Sequence, residues 1–338
     1  MRIMKIILDA MGGDNAPAEI LKGAAAAVAQ WPELSLIAVG QQQVIEKCAE
    51  ENGISLQGIE IVNASETIEM CDEPARAIRR KKDSSIVVGL NLLAEGKGDA
   101  FVSAGSTGAL HVGASLIVRT VKGVKRPALA TVLPGKTPFL LLDCGANVEC
   151  RPQMLEAFGV MGSVYMKQVM GLENPRVALV NNGAEETKGT PTYVEAHQLL
   201  KANQQINFVG NIEPRDIPQG GADVVVADGF TGNVVLKLTE GLAKFFGSKL
   251  KAMFKKNLGT KIGYLLVKDG VTEFKKSMDA DEYGGAPFLG AAKPVIKAHG
   301  SSNARAIQNA IRQAKLCVEN DLCGVMAQNL AVPQEQER

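Results

Sequence analysis

The stretch VVVADGFTGNVVLK, residues 224–237, changes its hydrophobic rhythm halfway along. Residues 224–227 form a continuous apolar run, which is typical of a strand that is buried on both faces of a sheet. After the break, Val234 and Leu238 follow the spacing of one helical face. Residues 228–233 are therefore predicted to form a strand-to-helix turn, where open α/β sheets bind small ligands beside a helix N-terminus.

Similar apolar runs alternate with helical patterns along most of the chain. In order they are KIILDA, LSLIAVG, IEIVNA, AFVSAG, ALATVL, FLLLDCG, RVALVNNG, INFVG, ADVVVADG and PVIKAHG. This alternation predicts an α/β fold in which helices wrap a mostly parallel sheet. Many of the runs end in a glycine-containing turn, where backbone amides can approach an anion closely.

One segment interrupts this alternation. Between about residues 247 and 294 the chain carries a lysine-rich amphipathic pattern, an apolar patch at residues 262–267 and the turn-rich DEYGGAPFLG. We interpret this segment as a helical excursion from a single catalytic domain that spans residues 1–330. The polar tail, residues 331–338, is expected to fray.

Composition excludes several classes of protein. The chain has 338 residues, of which 46% are hydrophobic, and a formal net charge of +1, so it has a large core and no global attraction for nucleic acid. An acidic partner would need a local basic patch, for which residues 79–82 and the lysines from Lys244 to Lys261 are candidates, although each alone is typical of a solvated face.

Cysteine spacing and hydropathy indicate the compartment. The six cysteines form no C-x-x-C pair and only three histidines could join them, so we expect no metal site. The chain starts with a strand-like run at residues 6–8, so we expect no signal peptide, and no run reaches the ~18 apolar residues of a membrane span. We therefore expect a cytoplasmic protein with reduced cysteines.

Familiar catalytic motifs are missing from the sequence. No G-x-G-x-x-G follows a strand-like run, and GAEETKGT has Lys188 and Gly189 in the reverse of the Walker order. No G-x-S-x-G is present either, so a serine hydrolase is poorly supported. What remains is a set of strand-end loops that carry small residues, amides and one lysine.

Each of these loops allows two interpretations. In SAGSTGAL, Ser106 and Thr107 could bind a phosphate or only cap a helix. Lys188 could clamp a phosphate or form a surface salt bridge with the neighbouring glutamates. Asn233 could cap the second helix of the opening stretch, and His299 could be an acid or base or a packed neutral histidine. Asp9 and Asp14 could simply brace the turn between them.

Nine segments resemble one family when they are taken together and in order. They are LDAMGGDNAP, SAGSTGAL, RPALATVLP, LLLDCGANVE, MGSVY, PRVALVNNGAEETKG, ADVVVADGFTGNVVLK, YGGAPFLG and VIKAHGSS. This series resembles the bacterial phosphate acyltransferases, the acyl-carrier-protein:phosphate acyltransferases of phospholipid synthesis. The resemblance covers nearly the whole chain.

The resemblance implies a fold and an activity. The expected fold is a Rossmann-like sheet in three α/β/α layers, related to phosphotransacetylases and isopropylmalate-type dehydrogenases. The expected reaction transfers a long-chain acyl group from the thioester of acyl carrier protein to inorganic phosphate. The acyl phosphate would then supply a membrane glycerol-3-phosphate acyltransferase, and the enzyme would be a homodimer at the inner face of the cell membrane.

The resemblance also assigns site residues, with Lys188 and Asn233 as the catalytic pair. We assign phosphate and substrate binding to Asp9, Gly12, Gly13, Asp14, Gly105, Ser106, Thr107, Gly108, Asp228, Gly229, Thr231, Gly232 and His299. Two positions depart from the family pattern, because Ser106 stands where asparagine is usual and Asn182 where an aliphatic residue is common. A serine can still donate one hydrogen bond to phosphate.

The expected chemistry explains the missing motifs. Phosphate is itself the nucleophile and a thiolate leaves readily, so the site needs only positioning and hydrogen-bond donors, with no cofactor. Lys188 would hold the phosphate, the amides of residues 105–108 would share its charge, and Asn233 would donate to the thioester oxygen.

The excursion is predicted to touch the membrane. LAKFFGSKLKAMFKKNL places apolar residues on one helical face and lysines around it, which suits an anionic lipid surface. Phe254, Leu258 and Leu265 are the expected contacts, although the apolar patches could instead pack together or across a dimer. Two other functions remain open: a phosphotransacetylase-like enzyme that uses acyl-CoA, and a non-catalytic, membrane-associated scaffold for the carrier protein.

Overall fold

The computed structural model describes residues 3–277 and 284–330, without the side chains of residues 275–277, and contains an eleven-stranded sheet. The strands are β1 (Met4–Asp9), β2 (Leu34–Gly40), β3 (Ile59–Asn63), β4 (Ala100–Ser103), β5 (Ala128–Leu133), β6 (Phe139–Leu142), β7 (Arg176–Val180), β8 (Asn207–Ile212), β9 (Val224–Val226), β10 (Ala286–Leu289) and β11 (Val295–Lys297). Their order in the sheet is β3-β2-β1-β4-β11-β10-β5-β6-β9-β7-β8.

Helices connect these strands. They are α1 (Ala18–Gln30), α2 (Gln42–Asn52), α3 (Pro74–Arg80), α4 (Ser85–Ala94), α5 (Thr107–Gly113), α6 (Pro152–Gln168), α7 (Pro191–Ala202), α8 (Gly229–Lys255), α9 (Leu258–Ser277), α10 (Ala304–Glu319) and α11 (Leu322–Leu330). Helix α5 continues into a π-helical turn at Ala114–Val118, and Ile217–Gln219 forms a 3-10 turn.

The strands confirm the α/β prediction. All ten apolar runs contain a strand, and seven of the ten strand pairings are parallel. Strand β10 was missed, because APFL lies among glycines and a proline and its sequence is typical of a turn.

Strand direction reverses at the middle of the sheet. Strand β10 pairs antiparallel with both β11 and β5, and β5 pairs antiparallel with β6. The half that contains β1, β4 and β11 therefore runs opposite to the half that contains β6, β9 and β7. Lys297, the last residue of β11, pairs with Ala286 of β10, and Leu142, the last residue of β6, pairs with Ala130 of β5. Because β5 lies beside β10, the carboxyl ends of the two halves meet near β10.

Two apolar cores cover the two faces of the sheet. Ile6 and Leu8 point into the core that α1, α6 and α10 close, whereas Ile7 between them points into the core closed by α4 and α5. This alternation is the period of two that a strand imposes on its side chains. The result is the three-layer α/β/α arrangement that was predicted.

The excursion consists of two long helices whose bounds differ from the interpretation above. Helix α8 begins at Gly229, not near residue 247, because the helix of the opening stretch simply continues for 27 residues. After α9, strand β10 has already returned to the sheet by Ala286. The predicted frayed tail, residues 331–338, lies outside the described residues. Over the described part of the chain, the helices are too short or too polar to cross a membrane.

Candidate active site

A cleft of about 470 Å³ lies where the two halves of the sheet meet. It receives residues from the ends of β1, β4, β6 and β11, from β5 and from the first turns of α8. Its polar lining includes Asp14, Thr107, Thr131, Asn233, Lys237, Glu240, Lys297 and His299. Met70, Leu129 and Leu236 supply apolar surface. A lining with both polar and apolar side chains suits a ligand that has a charged part and an apolar part.

The turn at residues 228–233 fixes the start of α8. The side chain of Asp228 caps the helix, because its Oδ1 accepts a hydrogen bond from the Thr231 amide at 2.7 Å. Its Oδ2 accepts a second bond from the Tyr193 hydroxyl at 2.7 Å. Asn233 is therefore not the helix cap, and that interpretation of the sequence was wrong.

Two glycines of this turn allow α8 to approach the loop after β6. A Cβ atom at Gly229 would lie 2.6 Å from the Asn147 carbonyl oxygen, and one at Gly232 would overlap the Asp143 carbonyl oxygen. The Gly229 amide donates to that same Asn147 oxygen at 2.7 Å. These close contacts require residues without a side chain, and they hold the first turn of α8 against β6.

The β6 loop is organised around one buried carboxylate. Asp143 is fully buried and accepts hydrogen bonds from the amides of Leu129, Gly145, Ala146 and Asn147, and from the Asn147 side chain, at 2.7–3.1 Å. Its oxygens are thus used to hold the loop, and its role is to position the surface that α8 packs against.

Asn233 is the predicted catalytic residue that the cleft contains. Its side chain is exposed to the cleft and lies beside Gly145, where its Oδ1 would be 3.4 Å from a Cβ atom. The Asn233 amide has no hydrogen-bond partner among the described residues. It is therefore free to donate to a substrate oxygen.

The loop after β4 presents Thr107 to the cleft. Ser106 is buried, and its hydroxyl caps α5 by accepting from the Ala109 amide at 3.4 Å. The Gly105 amide is occupied by the Ser103 hydroxyl at 2.9 Å, and Gly108 packs against Pro74. The amides of Ser106, Thr107 and Gly108 have no partner in the described chain, and of these three residues Thr107 lines the cleft.

The loop after β1 supports the β4 loop. Buried Asp9 accepts from the Ser103 hydroxyl at 2.6 Å and from the Met11 amide at 3.1 Å, and burial raises the pKa of its carboxyl. A Cβ at Gly12 would meet the Asp9 carboxylate, and Gly13 has φ +101°. Of the predicted residues in this loop, Asp14 alone lines the cleft.

The loop after β11 contributes two basic residues. His299 is exposed in the cleft, and its Nδ1 lies 2.9 Å from the Ser301 hydroxyl. Lys297, which was not predicted, is buried at the end of β11 and donates to the carbonyl oxygens of Ala104 and Ala298. Burial lowers the pKa of Lys297 to about 8.

Lys188 lies outside the group of residues that line the cleft. It follows β7, which is next to β9 in the sheet, and the described lining of the cleft does not include it. Its side chain is 47% exposed, and its Nζ is 3.9 Å from the nearer Glu185 oxygen, which leaves the ammonium weakly paired. Asn181 fixes the loop by donating to the Lys188 carbonyl oxygen at 2.9 Å.

A cysteine in the cleft is unsuited to be a nucleophile. Cys144 lines the cleft, but its thiol is buried and donates to the Leu141 carbonyl oxygen at 3.2 Å. Burial raises the pKa of Cys144 to about 12, so the reactive thiolate is scarce at neutral pH.

Four of the predicted site residues lie together in the cleft. Asp14, Thr107, Asn233 and His299 come together as predicted candidates, whereas Asp228, Gly229, Thr231 and Gly232 position α8. Lys237, Glu240 and Lys297 were missed. The sequence did contain an indication of Lys297, because it is a lysine inside the apolar run PVIKAHG and lysines are rarely buried.

Comparison with solved structures defines the fold class. The fold resembles that of a phosphotransacetylase from Streptococcus pyogenes, with a TM-score of 0.61, 19% identity and coverage of 97% of this chain and 94% of the other. A branched-chain phosphotransacylase from Enterococcus faecalis gives a TM-score of 0.53 at 18% identity, covering 93% and 99%. The chain therefore has the α/β fold of the phosphotransacetylases. The expected likeness to isopropylmalate-type dehydrogenases stays a prediction.

Sequence comparison then gives the family. A family model described as a fatty acid synthesis protein matches residues 4–325. A phosphate acyltransferase of Alkaliphilus oremlandii is 51% identical over 318 residues, which cover 94% of each chain. One of Caldicellulosiruptor saccharolyticus is 48% identical over 333 residues, covering 98% of this chain and 100% of the other. The chain belongs to the phosphate acyltransferase family of fatty acid and phospholipid synthesis, which confirms the resemblance and the enzyme class.

Proposed function

We propose that this acyltransferase takes a long-chain acyl group from the thioester of acyl carrier protein and transfers it directly to inorganic phosphate. The observation that carries the proposal is the cleft itself, whose lining combines the free Asn233 amide with basic and apolar side chains. The acyl phosphate would be consumed by a membrane glycerol-3-phosphate acyltransferase.

The proposed step needs no covalent enzyme intermediate. A phosphate oxygen attacks the thioester carbonyl carbon, a C–O bond forms, the C–S bond breaks, and the sulfur leaves as a thiolate that takes up a proton. The Asn233 amide donates to the carbonyl oxygen as negative charge develops on it. Burial raises the pKa of Cys144 to about 12, which makes this thiol a poor nucleophile and favours direct transfer over an acyl-enzyme at Cys144.

The test is direct detection of the product. Purified protein is incubated with palmitoyl carrier protein and phosphate, and hydroxylamine then traps the acyl phosphate as a hydroxamate. Parallel reactions with acetyl-CoA and palmitoyl-CoA distinguish the related phosphotransacetylase activity. Trapped product with the carrier protein is expected; none with any donor would contradict catalysis and favour a carrier-protein scaffold.

Lys188 is proposed to orient the phosphate from the β7 side. We expect Lys188→Ala to lower kcat/KM for phosphate by roughly tenfold to a hundredfold, because a charge-assisted hydrogen bond is lost. The fold should be unchanged, since the ammonium is weakly paired. Lys201→Ala is the matched control, because Lys201 is similarly exposed and pairs with Glu186 at 2.6 Å. Normal phosphate kinetics in Lys188→Ala would remove Lys188 from the mechanism.

The carrier protein is proposed to dock on the basic surface of α3. Lys81 is tied to Asp72 at 2.6 Å, but Arg79 and Arg80 are exposed. Helix α3 also contacts the loop after β4, since Pro74 packs against Gly108. Lys255 and Lys256, by contrast, lie at the far end of α8.

Charge reversal tests this docking surface. We expect Arg79→Glu with Arg80→Glu to raise KM for the acyl carrier protein several-fold, with a weaker dependence on salt than wild type. Lys255→Glu with Lys256→Glu is the control. An effect confined to Lys255→Glu with Lys256→Glu would instead place the docking surface at the far end of α8.

The hairpin of α8 and α9 is proposed to contact the membrane peripherally. Leu258 is 74% and Leu265 is 65% exposed, with Lys255, Lys256 and Lys261 exposed around them. Phe254 is partly covered, because its ring packs on Tyr264 with centroids 5.2 Å apart. Val234, Leu238 and Leu242 on α8 are also exposed and support the proposed homodimer.

Liposome co-sedimentation tests the membrane contact. We expect Leu258→Asp and Leu265→Asp to reduce binding to anionic vesicles strongly, and added salt to weaken wild-type binding because each lysine contributes only ~1 kcal/mol. Val44→Asp is the control, since Val44 is an exposed apolar residue on α2. If both hairpin variants stay dimeric by sedimentation velocity and still bind like wild type, the hairpin is not the membrane contact.

A further inference from the structure

Lys297 is a buried cation at the floor of the cleft. It ends strand β11, and only 9% of the residue is exposed. Its Nζ donates to the Ala104 carbonyl oxygen at 3.1 Å and to the Ala298 carbonyl oxygen. An ammonium has three donors, so the two carbonyl bonds leave one for a ligand in the cleft that Lys297 lines.

The charge of Lys297 has no contact partner. In the part of the chain that the structure describes, no carboxylate forms an ion pair with it, and Asp9 and Asp14 act on it only at longer range. Burying a charge without an ion-pair partner is costly, and an apolar residue of similar length would avoid that cost. Stability therefore does not explain a lysine at this position.

The position of Lys297 suggests what pairs with it. Ala104, which accepts its hydrogen bond, directly precedes the loop whose Thr107 and Gly108 amides are unpaired. Thr107 lines the same cleft. The Thr107 hydroxyl and a buried ammonium on the lining of one cleft suit a small oxyanion. Lys188, by contrast, lies outside the described lining of the cleft.

We propose that Lys297 binds the inorganic phosphate substrate from the floor of the cleft, together with Thr107 and the β4 loop. This assignment rests on the proposed function, because it names the cation of that same site. The charged and titratable groups that face Lys297 are Asp9, Asp14 and Lys237, with Glu240 and His299 on the cleft lining.

Three variants test the assignment. Lys297→Met removes the charge and keeps the length, and Lys297→Arg keeps a charge that does not titrate. Lys293→Met is the matched control: Lys293 precedes the same strand and donates to the Leu93 carbonyl oxygen at 2.7 Å, but it does not line this cleft. KM for phosphate is measured for each between about pH 6.5 and 9.5, around the pKa of about 8.

The expected pH dependence of KM for phosphate follows from the lowered pKa of Lys297. Below the lowered pKa Lys297 carries its charge and binds phosphate; above it the charge is lost, so the wild-type KM for phosphate should rise. Lys297→Met should raise KM at least tenfold at neutral pH and remove this rise. Lys297→Arg should recover part of the affinity and move the rise to higher pH, and Lys293→Met should behave like wild type.

A binding measurement separates this proposal from the proposed function. Calorimetric titration with inorganic phosphate needs no turnover, and Lys297→Met should bind at least tenfold more weakly than wild type. Folded Lys297→Met with wild-type phosphate affinity, or Lys297→Arg with the wild-type alkaline rise, would overturn the assignment. Wild type that binds phosphate through Lys297 but traps no acyl phosphate would instead overturn the proposed acyl transfer.

Discussion

Replacing Asn233 with alanine should lower kcat by about a hundredfold to a thousandfold, which is the loss seen when one preorganised donor to a developing oxyanion is removed. The expected effect is on turnover because the Asn233 amide has no partner among the described residues and gains one when the thioester oxygen becomes negative. The fold should be unaffected, since the cap of α8 is Asp228.

Two further variants sharpen the Asn233 experiment. Asn233→Asp keeps the shape but replaces the donor with a carboxylate, so it should be at least as inactive as Asn233→Ala. Asn91→Ala is the matched control, because Asn91 is an exposed helical asparagine on α4 outside the cleft lining. The kinetics are measured with saturating phosphate and carrier protein, together with thermal unfolding. An Asn233→Asp variant with wild-type kcat would rule out the donor role.

The sequence was sufficient to predict the α/β class because its central strands are buried on both faces. Runs such as VVVADG and FLLLDCG begin with continuous apolar residues, which distinguishes them from loops, and each contains a strand. Strand β10 was missed because it begins Ala286-Pro287 after two glycines. Its local sequence favours a turn, and only its pairing with β11 and β5 makes it a strand.

The site was harder to predict because strand direction is a long-range property. The reversal at β10 brings the β11 loop opposite the start of α8, and no local pattern records that meeting. Asn233 and His299 were therefore found by motif, whereas Lys297, Lys237 and Glu240 could be recognised only once they shared a cleft. Glycines such as Gly232 were predicted as ligand contacts, but their surroundings show tight packing against β6.

The role of Lys188 stays a prediction, because its position relative to the cleft also depends on the long-range arrangement of the strands. Its motif follows β7, and the sequence cannot say how far the end of β7 lies from the end of β11. In the sheet order β9 and β6 separate β7 from the seam at β5 and β10. The kinetic comparison of Lys188 and Lys297 variants will therefore show which lysine supplies the charge for phosphate.

The largest expected loss of stability comes from Asp143, because one fully buried carboxylate holds the whole β6 loop. Asp143→Ala would leave four backbone amides and the Asn147 side chain without this acceptor, and the bonds from Leu129 and Asn147 are buried. Each unsatisfied buried donor costs about 1–3 kcal/mol, and relaxation of the loop recovers part of the sum. We expect a net loss of about 4 kcal/mol in the free energy of unfolding.

Urea unfolding followed by circular dichroism measures this loss, with Asp216→Ala as the control because Asp216 is an exposed carboxylate 3.8 Å from Arg215. A surface ion pair of that kind contributes about 0–1 kcal/mol. Asp143→Asn should be intermediate, since an amide retains one acceptor oxygen but turns its NH2 group toward donors. Because Gly232 packs on the Asp143 carbonyl, any variant that folds should also misplace Asn233 and lose turnover. An Asp143→Ala protein that is as stable and active as wild type would mean that the first turn of α8, and not the carboxylate, holds the β6 loop in place.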